Sequence, residues 1–269
     1  MNSIERNDVR ELLVKVPVVI TIYFWIVKIL ATTVGETGAD YLIFDLHLGL
    51  NVTSVAMTGL LAVLLYAQVK SKAYVPWLYW MTVVFVSIVG TLITDSMTDN
   101  FGIPLETTTI AFSLALVATF GLWYLQERTL SIHSIFTARR ELFYWAAILF
   151  TFALGTAAGD LVAESADIGY ANSALWFGGA IAAISTAFFA FRLNAILAFW
   201  LAYILTRPLG AALGDYLSQP LSHGGLGLGT VVTSAVFLAA ILSLVVLLTI
   251  TGVDAPRLQA DEMPMDETA

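Results

Sequence analysis

Asp40, Asp95, Asp160 and Asp215 each close the same pattern, W-x9-G-x4-D. Its other members are Trp25 and Gly35, Trp80 and Gly90, Trp145 and Gly155, and Trp200 and Gly210. Each pattern lies in a long apolar run, where an acid is costly and faces a cavity or a partner. A fifth acid, Glu36, sits one turn deeper than Asp40; its counterparts in the other repeats are Thr91, Thr156 and Ala211. Carboxylates gathered in this way are ligands for hard cations, which take oxygen donors. Two cations share the apolar runs: Lys28, two turns before Glu36, and Arg207, two turns before Asp215 and directly before Pro208. They fit a gating or counterion role, either neutralising the acids or changing partner when an ion enters. Pro208 predicts a kink, because proline removes a helical hydrogen bond.

The repeat fixes how these residues share a helix. FWIVKILATTVGETGADYL from Phe24 aligns without a gap with FWLAYILTRPLGAALGDYL from Phe199, and segments from Tyr79 and Tyr144 fit the same frame. At about 1.5 Å per residue, Trp and Asp stand roughly 22 Å apart, on one broad face. The glycine points elsewhere, where a small residue lets a neighbouring helix approach. The tryptophans read as interfacial anchors, or as stacking groups for an organic cation. Hydroxyls at the starts of the second helices, such as Thr53, Thr108, Ser173 and Thr233, read as N-caps.

The elements that carry these residues are membrane helices. The chain is 59% hydrophobic and 12% charged, with a mean hydropathy of +0.85, whereas soluble domains carry about 25% charge. Disorder and nucleic-acid binding are excluded, since one needs low hydrophobicity and the other a basic surface. With no cysteine, disulfides, thiolate metal sites and thiol nucleophiles are excluded as well. Eight runs suffice for spans: 16–42, 52–69, 75–97, 107–125, 142–162, 171–191, 194–217 and 229–251. The polar N-terminus reads as uncleaved, and residues 252–269 as a short, acidic, disordered tail.

Arg6, Arg10, Lys15, Lys70, Lys72, Arg128, Arg139, Arg140, Arg192 and Arg257 all fall on one side of an eight-span chain. That asymmetry places both termini in the cytoplasm. The opposite side holds Glu36, Asp40, Asp45, Asp95, Asp99, Glu106, Asp160, Glu164, Asp167 and Asp215, a field that concentrates cations. The fold class is therefore all-α, a polytopic membrane bundle of eight helices in one domain, 1–251. It is built as four parallel helical-hairpin repeats, about 16–69, 75–125, 142–192 and 194–251.

This arrangement resembles uncharacterised bacterial multipass membrane proteins with four tandem repeats of unknown function, the domain-of-unknown-function 347 type. Trp25, Trp80, Trp145 and Trp200 carry the resemblance. It implies the fold and a bacterial inner membrane, and it implies no activity.

Function is read from the residues. Glu36, Asp40, Asp95, Asp160 and Asp215 predict a cation site, and the leading expectation is a transporter of a small cation, a divalent metal above others. A non-transporting sensor or assembly partner is the alternative, and a transporter of a small organic solute the third. No enzyme is expected: GGLGLG from Gly224 follows no strand, and only His47 and His223 share a side. No cofactor is expected beyond a divalent metal as cargo. The partners are the lipid bilayer, a small cation and a possible second copy, with no nucleic acid.

Overall fold

In the computed structural model of the chain, the described residues are 14–165 and 168–255, the side chains of 164 and 165 excepted. Arg6, Arg10, Arg257, Asp167, the Glu164 side chain and most of the acidic tail lie outside them. Eight long helices follow in order: α1 Ile22–Asp40, α2 Gly49–Lys70, α3 Pro76–Asp95, α4 Leu105–Glu127, α5 Ala138–Asp160, α6 Tyr170–Phe191, α7 Ala195–Ser218 and α8 Gly229–Thr251. Their interiors are apolar and hold few helix breakers, and no strand forms among the described residues. Seven of the eight are long and apolar enough to cross a membrane. The remaining helix, α1, carries Lys28, Glu36 and Asp40. It begins later than the first run suggested, at Ile22, with the Thr21 hydroxyl accepting from the Phe24 N–H as its cap. The connection between α4 and α5 holds only a short 3-10 turn, Ile132–Ser134.

α1, α3, α5 and α7, which carry the four motifs, form a closed inner ring, each packed against two others. The glycines set that packing. A Cβ added at Gly35 would lie 2.6 Å from Ser87 Cβ, and one at Gly90 2.7 Å from Phe152 Cβ. At Gly155 it would lie 2.6 Å from Arg207 Cβ, and at Gly210 2.6 Å from Thr32 Cβ. Each motif glycine thus receives the residue three before the glycine of the following repeat, and the fourth repeat returns to the first. A heterologous contact that closes after four copies is a pseudo-fourfold ring. α1 keeps the same glycine register as the other three ring helices.

The tryptophans close the same ring. Phe24 meets Trp80 at 5.4 Å between ring centroids, Tyr79 meets Trp145 at 5.7 Å, Tyr144 meets Trp200 at 6.2 Å and Phe199 meets Trp25 at 5.7 Å. Trp80, Trp145 and Trp200 are buried. They are wedges between ring helices rather than the interfacial anchors that the sequence suggested, because the aromatic residue before each one offers a face to pack on.

The second helix of each repeat packs outside the ring, on the next repeat's first helix. α2 lies on α3, α4 on α5, α6 on α7, and α8 returns to α1. Each repeat is a hairpin in sequence, yet its two helices find their main partners in other repeats. After the motif aspartate, the first three repeats pass into π-helical turns, Tyr41–Asp45, Ser96–Asn100 and Leu161–Ser165. The fourth stays α-helical to Ser218 and is stopped by Pro220.

α7 is one continuous helix through Pro208. One expectation is corrected here. The hydroxyls of the second helices are not caps: Thr108 Oγ1 donates to the Pro104 carbonyl at 3.1 Å and Thr233 Oγ1 to the Gly229 carbonyl at 2.9 Å, both four residues back.

The basic residues gather at the end opposite the aspartates. Lys15 Nζ donates to buried Glu141 Oε2 at 3.0 Å and to the Val69 carbonyl at 2.6 Å. The backbone N–H groups of Val18 and Val19 donate to the Asp254 carbonyl at 3.1 and 3.4 Å. Residues 252–255, read as the start of a disordered tail, are thus folded onto this end.

Candidate functional site

The inward-turned residues recur every four positions along each ring helix. On α1 they are Phe24, Lys28, Thr32, Glu36 and Asp40. Residues i and i+4 share a helix face, so the ring stacks such stripes into layers along one axis. All are buried or half-buried, although most are polar in the upper layers.

The layer after the motif glycines holds Glu36, Thr91 and Thr156, with Ala211 completing it. Arg207 enters it from the layer below. Its Nη2 donates to Glu36 Oε2 at 2.9 Å, to Thr156 Oγ1 at 2.7 Å and to Thr91 Oγ1. Its Nη1 donates to the Thr32 carbonyl at 2.8 Å. Thr91 Oγ1 also approaches Glu36 Oε2, at 3.3 Å. The guanidinium is wholly buried and the carboxylate nearly so. Removing either partner of such a pair costs about 3–5 kcal/mol, because the other charge is left buried and unpaired.

One turn further toward the acidic end lies the aspartate layer. One oxygen each from Glu36, Asp160 and Asp215 lie within 4.8 Å of one another. Calcium–oxygen distances of about 2.3–2.6 Å put three ligands spread evenly around one ion about 4.0–4.5 Å apart, so the three carboxylates stand close to the spacing at which one hard cation takes them all. Like charges at this spacing repel by about 3 kcal/mol per pair at an effective dielectric of about 20. The positive charge of Arg207 on Glu36 relieves part of that. Asp95 is an electrostatic neighbour of Glu36, Asp160 and Asp40. Of the five acids singled out in the sequence, the structure brings three to one point, with Asp95 and Asp40 beside them. Other acids of this end serve elsewhere: Asp45 accepts from the Thr230 hydroxyl.

Below Arg207 the axis turns aromatic. Lys28 Nζ is buried and has no hydrogen-bond partner. It lies 4.2 Å from the ring centroids of both Phe152 and Tyr203. Of the two internal cations only Arg207 is paired with an acid; Lys28 is not the counterion that its spacing allowed. Phe152 also lies 5.8 Å from the Arg207 guanidinium carbon, so one ring neighbours both cations. Beneath them the hydroxyls of Tyr79 and Tyr144 meet at 2.6 Å.

Sequence reasoning missed the aromatic box of Phe152 and Tyr203 and the role of Thr91 and Thr156 as acceptors for Arg207. Their signal was available: all four share the four-residue stripe with Lys28 and Glu36 once the repeats are stacked. His47 and His223 are exposed and do not join the carboxylate group.

A bundle of apolar helices around a buried polar axis is an all-α polytopic membrane protein. Within that class the chain belongs to the family described as Repeat of Unknown Function (DUF347), whose model matches residues 23–74, 78–129, 143–194 and 198–254. No curated protein and no solved structure matches the chain.

Proposed function

We propose that the protein carries a small hard cation, a divalent metal above others, across a bacterial inner membrane. The basic end and both termini face the cytoplasm, in keeping with the lysines and arginines at that end. The ion enters at the aspartate layer and is held by Glu36, Asp160 and Asp215, with Asp40 and Asp95 beside them.

The observation that carries this reading is the double membership of Glu36. The same carboxylate pairs with Arg207 and belongs to the group that one cation can reach. An arriving ion therefore competes with the arginine, and binding is tied to a change at the centre of the ring. A scaffold gains nothing from such an arrangement, since apolar residues of similar volume are often the more stable choice.

The test is manganese flux into liposomes holding the purified protein. Glu36→Gln keeps the shape and removes the charge; it should lower flux about tenfold or more, the worth of one charge-assisted contact. If E36Q stays folded and carries manganese at the wild-type rate, the gate is wrong. If Ala at Asp40 and Asp215 also leaves flux unchanged, the acids are a solvated rim, and a sensor or assembly role takes its place.

A further inference from the structure

We infer that the Arg207 guanidinium is the tethered occupant of a second, inner cation site. Its walls are the Glu36 carboxylate, the Thr91 and Thr156 hydroxyls and the Thr32 carbonyl, and with the arginine gone it takes a small oxygen-seeking cation. This inference rests on the transport reading and names where the ion goes next.

Three oxygens, from Glu36, Thr91 and Thr156, converge on one nitrogen, Nη2. They come from three different repeats, all from the position after the motif glycine. A carboxylate, hydroxyls and a carbonyl are the donor types that hold hard cations. The repeat that supplies the arginine has Ala211 at the wall position, so it contributes the occupant and no ligand. The occupant comes from one layer below, where the other repeats carry Thr32, Ser87 and Phe152. A symmetric pocket is thus filled by the one repeat that does not line it.

The arginine is also held so that it can leave. Its stem runs past Gly155, where a Cβ would lie 2.6 Å from Arg207 Cβ. Its Nε is buried and makes no hydrogen bond. All its bonds are therefore at the tip, and a movement of the tip breaks them together. Glu36 is common to the inner walls and to the outer carboxylate group. A cation can pass from one to the other without losing that carboxylate, which keeps the step from exposing a bare charge to the low-dielectric interior.

The test uses the purified full chain in detergent. Arg207→Ala empties the seat, and guanidinium chloride at about 20 mM, far below denaturing levels, is the probe, with sodium chloride at the same concentration as control. Guanidinium should raise the melting temperature of R207A by several degrees, leave wild type unmoved and leave R207A/E36Q unmoved. No rise in R207A, or an equal rise in all three, overturns the inner site.

Should R207A not fold, Arg207→Lys gives a second route. It keeps the charge and every wall of the seat but is shorter and lacks the planar fork of donors, so the occupant competes less well for Glu36. Manganese, titrated by electron paramagnetic resonance, should then bind about tenfold tighter than to wild type. Unchanged or weaker binding overturns the proposal. The guanidinium rescue requires no flux: rescue with a flux-dead wild type removes the transport reading alone, and flux without rescue removes the inner site alone.

Discussion

Lys28 shows at the scale of one residue how far the axis departs from ordinary packing. Its ammonium is wholly buried between the rings of Phe152 and Tyr203 and has no acceptor. Cation–π contact supplies about 2 kcal/mol when desolvated. Withdrawing the charge from water costs several kcal/mol. Stability alone therefore favours an apolar side chain of similar length. Lys28→Met should raise the thermal stability of the purified protein, by on the order of 1–4 kcal/mol. A thermal scan beside wild type checks this, and a destabilised K28M would mean that the ammonium is well paired. At this scale the sequence was partly legible. Glu36 and Arg207 stood out because each breaks the repeat, where the counterparts are Ala211 and Thr32, and a break in symmetry at membrane depth is visible in letters. Phe152 and Tyr203 did not stand out, since an aromatic residue in an apolar run reads as core.

Helices pack here through glycine, and the two kinds of glycine predict opposite outcomes. Gly35, Gly90, Gly155 and Gly210 each face a Cβ of the next ring helix at 2.6–2.7 Å from where their own would stand. Gly59, Gly121 and Gly179 lie in the outer helices and have nothing within 4 Å of that point. Gly35→Ala or Gly210→Ala should destabilise by about 1–3 kcal/mol, the usual penalty for overpacking. Gly59→Ala should be neutral or stabilising by up to about 1 kcal/mol, because alanine is the better helix former. Melting temperatures of the single variants decide it, and equal losses at Gly35 and Gly59 would contradict the ring. The spacing W-x9-G-x4-D revealed the depth of each residue, and the helices came out close to their expected limits. It could not reveal that the tryptophans are wedges, or that α2 packs on α3, because a period along one helix carries no record of which neighbour it meets. The unbroken course of α7 through Pro208 was hidden for a related reason: the surrounding ring holds a helix that proline alone would weaken.

Over the whole molecule, the ring has no privileged starting point. Each repeat contributes one inner helix and lays its outer helix on the following repeat, and α8 does for α1 what α2 does for α3. The described ends of the chain meet at the basic end, where Val18 and Val19 donate to the Asp254 carbonyl. A chain whose contacts close cyclically and whose ends adjoin tolerates new ends at an exposed connection. Lys72 lies in such a connection, between α2 and α3. A circular permutant that begins after Lys72, with residues 255 and 14 joined by a short flexible linker, should insert and fold, because every interface between helices is kept. It should melt within a few degrees of the native chain. Removal of one repeat, for example residues 75–125, should abolish folding, since the three remaining inner helices cannot close with the same glycine contacts. Size-exclusion profiles and melting curves of the two proteins in the same detergent distinguish these outcomes. A permutant that aggregates while the three-repeat chain stays monodisperse would show that the repeats fold as independent hairpins and that the ring is not the unit of stability.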